Sequence, residues 1–193
     1  MKNKMKKFLL AALVFIGSLS VANAQEIISK GSSMVNVGIG LGHHFGSDGM
    51  SIPPLSVAYD YSIVSGLIDR NNGAITLGGY GAFTSGSMTY RAPGYSSSAS
   101  YTHILLGFRG MFHYQFAPKL DTYAGLMLGY HIGSTSYSDS GPMGSHSNSG
   151  LTGSGFDIGV LLGARYFFTP KIGAFTELGY SLPYWNLGVT FKL

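Results

Sequence analysis

The chain of 193 residues is 45% hydrophobic and 13% aromatic but only 10% charged, which is too little charge to cover the surface of a soluble protein of this size. Of its 12 Lys+Arg, four (Lys2, Lys4, Lys6 and Lys7) lie in a basic leader, leaving 8 against 8 Asp+Glu, so the formal charge of +4 gives no reason to expect a nucleic-acid partner. There is no cysteine, which excludes a disulfide framework, a thiolate zinc site and a lipid anchor carried on cysteine.

Residues 1–24 combine the basic start with an apolar run from Phe8 to about Val21 and the small-residue ending Ala22-Asn23-Ala24. This is the pattern of a cleavable secretory signal, too short for a comfortable membrane span, and it predicts a mature chain beginning at Gln25. Residues 25–32 read as a short polar lead, and 33–193 as the one folded domain.

Period-two alternation then recurs eight times. A first strand over 34–45 sets Val35, Val37, Ile39 and Leu41 against Asn36, Gly38, Gly40 and Gly42. After a loop at 46–53, a second over 55–61 sets Leu55, Val57, Tyr59 and Tyr61 against Ser56, Ala58 and Asp60. A link over 62–73 leads to a third over 74–90, and the Ser-rich stretch 91–100 reads as the next loop. The fourth, over 101–114, sets Ile104, Leu106, Phe108 and Phe112 against His103, Gly107, Arg109 and His113. A turn at 115–120 leads to the fifth, 121–137, with Leu126, Leu128 and Tyr130 opposite Tyr123, Met127 and His131.

The low-complexity piece 138–150 buries too little apolar surface to fold alone and predicts a mobile loop. The clearest hairpin follows, FDIGVLLGARYFFTPKIGAFTELGY, with Phe156, Ile158, Val160, Leu162, Tyr166 and Phe168 on one face and Asp157, Gly159, Gly163 and Arg165 on the other. A link at 182–185 gives a last strand over 186–193, with Leu187, Val189, Phe191 and Leu193 on one face. In a soluble lipocalin-like barrel the apolar face would point inward and the outer face would be charged. Here the second face is mostly Gly, Ser and Thr, which fills a lumen well and covers a surface poorly. The prediction is an all-β, eight-stranded, antiparallel, up-and-down transmembrane β-barrel, with Tyr59, Tyr61, Tyr114, Tyr130, Tyr166, Tyr180 and Trp185 near strand ends as an interfacial girdle.

The pieces GVLLGARYFF and FTELGY and the closing strand NLGVTFKL resemble the OmpA/OmpX-like outer-membrane barrels of Gram-negative bacteria, over essentially the whole mature chain. The resemblance implies an outer-membrane protein in contact with lipid and lipopolysaccharide. It implies assembly through the C-terminal strand by the barrel-assembly machinery, although Leu193 stands where that family usually ends in Phe. It also implies loops 46–53, 91–100, 138–150 and 182–185 outside and both mature termini in the periplasm. A monomer is expected, with no peptidoglycan-binding domain, no nucleic acid and no cofactor.

Three functions are open at this point. The first is a structural or surface-interaction barrel with a plugged polar lumen. The alternative is a narrow pore or a route for small apolar molecules, as in the OmpW-like barrels that the chain also partly resembles. The third is an outer-leaflet lipid-modifying enzyme, for which His43, His44, Ser47 and Asp48 supply residue types in one loop without supplying a triad geometry. An eight-stranded interior is filled by side chains, so the first reading leads and no enzyme is expected.

The expected lumen residues are Arg109, Asp157, Arg165, Glu177 and Lys192. Turn centres near 170 and 183–184 place Glu177 diagonal to both Arg165 and Lys192. A turn symmetric about residue 117 makes His103 and His131 direct cross-strand neighbours. Two imidazoles fall short of the three or four ligands of a stable metal site, so no metal is assigned.

Overall fold

The computed structural model describes residues 27–42, 50–68, 72–142, 144–151, 153–180 and 183–193. The leader, and His43, His44, Ser47 and Asp48, lie outside the described residues. Nine strands run in chain order: β1 (Ser33–Leu41), β2 (Met50–Leu67), β3 (Gly73–Ala92), β4 (Tyr95–Ala117), β5 (Leu120–Gly141), β6 (Gly144–Leu151), β7 (Gly155–Phe167), β8 (Ile172–Gly179) and β9 (Trp185–Lys192). Every pairing is antiparallel, β1 pairs both β2 and β9, and β4 pairs β5, so the sheet closes on itself. β6 and β7 pair the upper and lower parts of β5 and together make one stave, which gives a ring of eight.

The alternation settles which face meets what. Leu106, Phe108, Leu126, Leu128, Phe156, Ile158, Val160 and Leu162 are all more than half exposed on the outside, while Asn36, Asp60, Arg109, Asp121, Arg165 and Glu177 are buried within. An apolar exterior around a polar interior is the facing of a barrel that meets lipid. Phe156 and Tyr166 on β7 are ten residue steps apart, which at about 3.3 Å each and ordinary barrel tilt span roughly 25 Å, the height of the apolar band of such barrels. Aromatic rings mark both limits. Tyr166 and Phe168 pack edge-on, as do Tyr114 and Phe116, near the end that carries the described chain ends, and Tyr130 with Phe156 does so near the other.

Two expected loops, and the described part of a third, are strands. Residues 91–100 form a hairpin closed by Pro93-Gly94, with Ala92 paired to Tyr95 and Gly94 at φ 75°. Residues 138–141 and 144–150 form another, with Gly141 paired to Gly144. Residues 50–53 already belong to β2. Serine and glycine bury no core, but a ladder that continues from a rigid barrel needs only its backbone groups paired, and the two tight turns supply that register.

The result is a four-stranded antiparallel sheet, β3-β4-β5-β6, that projects beyond the barrel rim on one side. At the opposite end β2 extends to Leu67, so the expected 62–73 link contracts to a short connection between Leu67 and Gly73. The 182–185 loop likewise gives up Trp185 to β9.

Candidate functional site

Among the described residues, Asp60, Arg109, His113, Asp121, Arg165 and Glu177 meet in the lumen. Asp60 is the hub: it accepts from Arg109 Nε at 2.7 Å on Oδ1 and from Arg109 Nη2 at 2.6 Å on Oδ2, a two-point pair with both side chains fully buried. Its Oδ2 also accepts from Arg165 Nη2 at 2.5 Å and from Asn36 Nδ2 at 3.2 Å. Arg109 reaches on to Glu177 Oε1 at 3.0 Å. Arg165 reaches Asp121 Oδ2 at 3.3 Å, and Asp121 in turn holds His113 Nδ1 at 3.0 Å, with His113 Nε2 2.9 Å from Thr76 Oγ1. Tyr123 lies flat beneath Arg165, 4.3 Å from guanidinium to ring centre, and donates its hydroxyl to Glu177 Oε1 at 2.8 Å.

Two of these bridges span three strands rather than two. Asp60 pairs with Gly78 and Gly78 with Arg109, so the ion pair closes across a residue without a side chain. Tyr123 pairs with Gly163 and Gly163 with Glu177, and the same device operates there. A Cβ on Gly78 would stand 2.7 Å from Asp60 Oδ1, and one on Gly163 would stand 2.4 Å from the Tyr123 ring. The glycine of each rung is the gap through which the polar side chains meet. Charges enclosed in a barrel are tolerable only when paired and hydrogen-bonded, and here the pairing also fills the bore.

Of the expected lumen residues, the structure brings Arg109, Arg165 and Glu177 into this cluster and leaves Asp157 and Lys192 out of it. β8 and β9 pair with Glu177 opposite Asn186, because five residues separate the strands and the centre of the connection falls below residue 182. The expected centre near 183–184 had placed Glu177 opposite Thr190. Lys192 therefore sits at the end of the barrel, where its Nζ donates to the carbonyl of Ile27 at 2.6 Å. Asp157 faces inward one level above the cluster, half-buried, with Oδ2 unpartnered among the described residues. Asp60, Asp121, His113 and Tyr123 were not anticipated as members. All four fall on the inward face by period, but period does not say which residue shares a rung with which.

His103 and His131 come together by a different route from the expected one. The β4–β5 turn is Pro118-Lys119 and the register shifts between Tyr114 and Ala117, so His103 pairs with Gly133 and Leu105 with His131, making the histidines diagonal neighbours. Their rings still stack at 4.9 Å, with His103 Nδ1 2.8 Å from His131 Nε2 and His131 Nδ1 2.8 Å from the Gly153 carbonyl. A carbonyl only accepts, so His131 donates from Nδ1 and receives the His103 proton at Nε2. Among the described residues no group of three or more His, Cys, Asp or Glu could hold a metal ion.

The described end of the lead closes the barrel below the cluster. Ile27 and Ile28 are buried against Met34, Ala74 and Phe167. Ile27 is fastened on both sides of its peptide, its N–H donating to Gln115 Oε1 at 3.0 Å and its carbonyl accepting from Lys192. Gly31 N–H to Ser62 O, at 2.9 Å, and Lys30 N–H to Ser65 Oγ, at 2.9 Å, tie the following residues to β2.

Neither a family model nor a curated protein sequence matches the chain. Among solved structures it is similar to Ail, the attachment invasion locus protein of Yersinia pestis, in complex with the heparin analogue sucrose octasulfate. That likeness has 15% identity, covers 86% of this chain and 100% of the other, and has a TM-score of 0.47. It is similar also to the N-terminal β-barrel domain of Pseudomonas aeruginosa OprF, with 13% identity, 85% and 98% coverage and a TM-score of 0.43. Likenesses of this size carry no functional argument. The eight-stave antiparallel barrel rests on the strand register itself.

Proposed function

We propose that this protein is an outer-membrane barrel of the cell envelope whose working part is the projecting sheet, offered at the cell surface for interaction, on a barrel that does not conduct. The observation that carries the reading is a contrast between the two ends of the same staves. Below, the bore is occupied by the Asp60–Arg109–Arg165 cluster and stoppered by Ile27 and Ile28. Above, β3 to β6 continue as a Ser-rich sheet in which every residue of β6 is exposed and β6 pairs only with β5. Such an edge carries unpaired N–H and C=O groups, a template for adding a strand from a partner. In bacterial barrels the short turns face the periplasm, and the turns at 118–119 and 168–171 lie at the end that holds Ile27 and Leu193. That rule supports an outside position for the projecting sheet.

A chain without cysteine makes the test direct. Ser145→Cys in the sheet is expected to react with a membrane-impermeant maleimide on whole cells, and Thr169→Cys in the opposite turn is expected to react only after lysis. The purified protein in planar bilayers is expected to be near silent. The reverse labelling pattern would invert the topology, and a large steady conductance would reject the sealed bore. Replacing 136–149 by a two-residue turn is expected to abolish adherence conferred on cells while leaving the heat-modifiable barrel intact. Unchanged adherence would remove the sheet from the function.

A further inference from the structure

We infer that the outer wall of the barrel carries a binding site for an anionic glycerophospholipid. In this site an acyl chain lies in a trough across β4, β5, β7 and β8, and the headgroup phosphate is held by Lys119 and Lys171. The inference requires that the barrel sit in a bilayer, as proposed above, and does not depend on how the sheet is used.

The trough arises from small residues at matching positions. Thr122 pairs with Ala164 and Ala164 with Thr176, so three short side chains stand side by side on the outward face of three adjacent strands. Tyr114 and Phe116 wall one side and Leu178 stands at the far end of an open trough of about 530 Å³. Both hydroxyls are already engaged: Thr122 Oγ1 donates to the Tyr114 carbonyl at 2.7 Å, and Thr176 Oγ1 accepts from Trp185 Nε1 at 2.8 Å. What remains in the trough is methyl, methylene and ring surface, suited to a hydrocarbon chain.

The charge lies at the end where a headgroup would. Phe116 and Thr122 of the trough lining flank the β4–β5 turn, the β7–β8 turn lies at the same end of the barrel, and each turn carries one exposed lysine, Lys119 and Lys171. Phe167 N–H donates to the Lys119 carbonyl at 2.9 Å and Lys192 N–H to the Lys171 carbonyl at 2.8 Å, which seats the first beside β7 and the second beside β9. About two strand spacings, roughly 10 Å, then separate the two backbones, within the joint reach of two lysine side chains. Neither ammonium has an ion-pair partner among the described residues, and neither turn contains a carboxylate. Basic groups at the membrane surface attract anionic lipid headgroups.

Lys119 supplies a second, independent sign. It sits at φ 66°, in the left-handed region where glycine or asparagine is the cheaper residue after proline in a two-residue turn. A side chain kept at a backbone position that disfavours it points to a use for that side chain. Another apolar trough of about 620 Å³, lined by Leu77, Phe108 and Leu128, opens at mid-height and serves as an internal comparison, since the β4–β5 and β7–β8 turns do not border it.

The test is native mass spectrometry of the folded, purified barrel in mixed micelles containing equal amounts of dioleoyl-phosphatidylglycerol and dioleoyl-phosphatidylethanolamine. The wild type is expected to retain one phosphatidylglycerol in preference to phosphatidylethanolamine by at least tenfold. Lys119→Gly with Lys171→Gln is expected to erase that preference while the barrel unfolds at the same or higher urea concentration, because glycine relieves the turn. Ala164→Phe, which fills the trough on an open face, is expected to lower retention of both lipids. Equal retention of the two lipids by the wild type, or undiminished phosphatidylglycerol on the double variant, would overturn the site. Because binding is read in micelles, inverted labelling of whole cells would reject the topology and leave this result standing.

Discussion

Asp60 and Arg109 stand on one rung of the sheet with Gly78 between them, and their two-point ion pair closes over the glycine at 2.6 and 2.7 Å. Asp60 also holds Arg165, so this carboxylate bridges both buried guanidiniums, while Glu177 and Asp121 each reach one of them. Asp60→Asn is therefore expected to cost about 3–5 kcal/mol, the scale for stranding a buried charge. Glu177→Gln is expected to cost clearly less, since Arg109 keeps both bonds to Asp60. Urea unfolding in lipid vesicles, followed by the fluorescence of the single tryptophan, Trp185, would check the order. Equal losses for the two variants would show that Asp60 is not the hub.

Adjacent glycines give a sharper contrast. A Cβ on Gly78 would meet the Tyr59 carbonyl at 2.0 Å, whereas one on Gly79 would meet nothing within 4 Å. Gly78→Ala is expected to destabilise the barrel by about 1–3 kcal/mol through overpacking, and Gly79→Ala by little. The same urea titration distinguishes them.

Leu162 is 60% exposed on the outer wall. Leu162→Arg is expected to cost on the order of 2–4 kcal/mol in a bilayer, as for cations near the midplane of barrel proteins. Unfolding measured in vesicles and in detergent micelles should differ for this variant, with the larger penalty in vesicles.

Burial of Ile27 and Ile28 holds the stopper in place. Ile28→Ser removes most of an apolar contribution of about 1.5–3 kcal/mol and is expected to release the lead to limited proteolysis of the purified protein. Ile39→Ser, a change to an outward residue more than half exposed, is expected to leave the lead protected. N-terminal sequencing of the intact product is expected to begin at Gln25, as the leader predicts.

On whole cells, a protease is expected to cut the 138–150 region only near its tip around Pro142 and at its base near Gly153. The ladder between pairs the chain residue by residue, from Ser134 with Leu151 to Gly141 with Gly144. Cleavage spread along the segment would show that the hairpin opens in the membrane-bound protein.

The sequence by itself determined the number of staves, the lipid-facing and lumen-facing sets, and the presence of two inward arginines and a glutamate. Each of these follows from a period of two, which is a local property: Arg165 and Leu162 differ in parity, and parity alone sends one inward and the other outward. Only the tertiary structure decided which inward groups meet. Register depends on how many residues each turn consumes. The five-residue gap between β8 and β9 carried Lys192 away from Glu177 and down to Ile27, and the Pro118-Lys119 turn with the register shift between Tyr114 and Ala117 made His103 and His131 diagonal. Ring closure then brought Asp60 to Arg165 across 105 residues of sequence. Asp60 became the hub because Gly78, on the strand between, leaves room for a guanidinium to pass, and that space exists only once three strands are side by side.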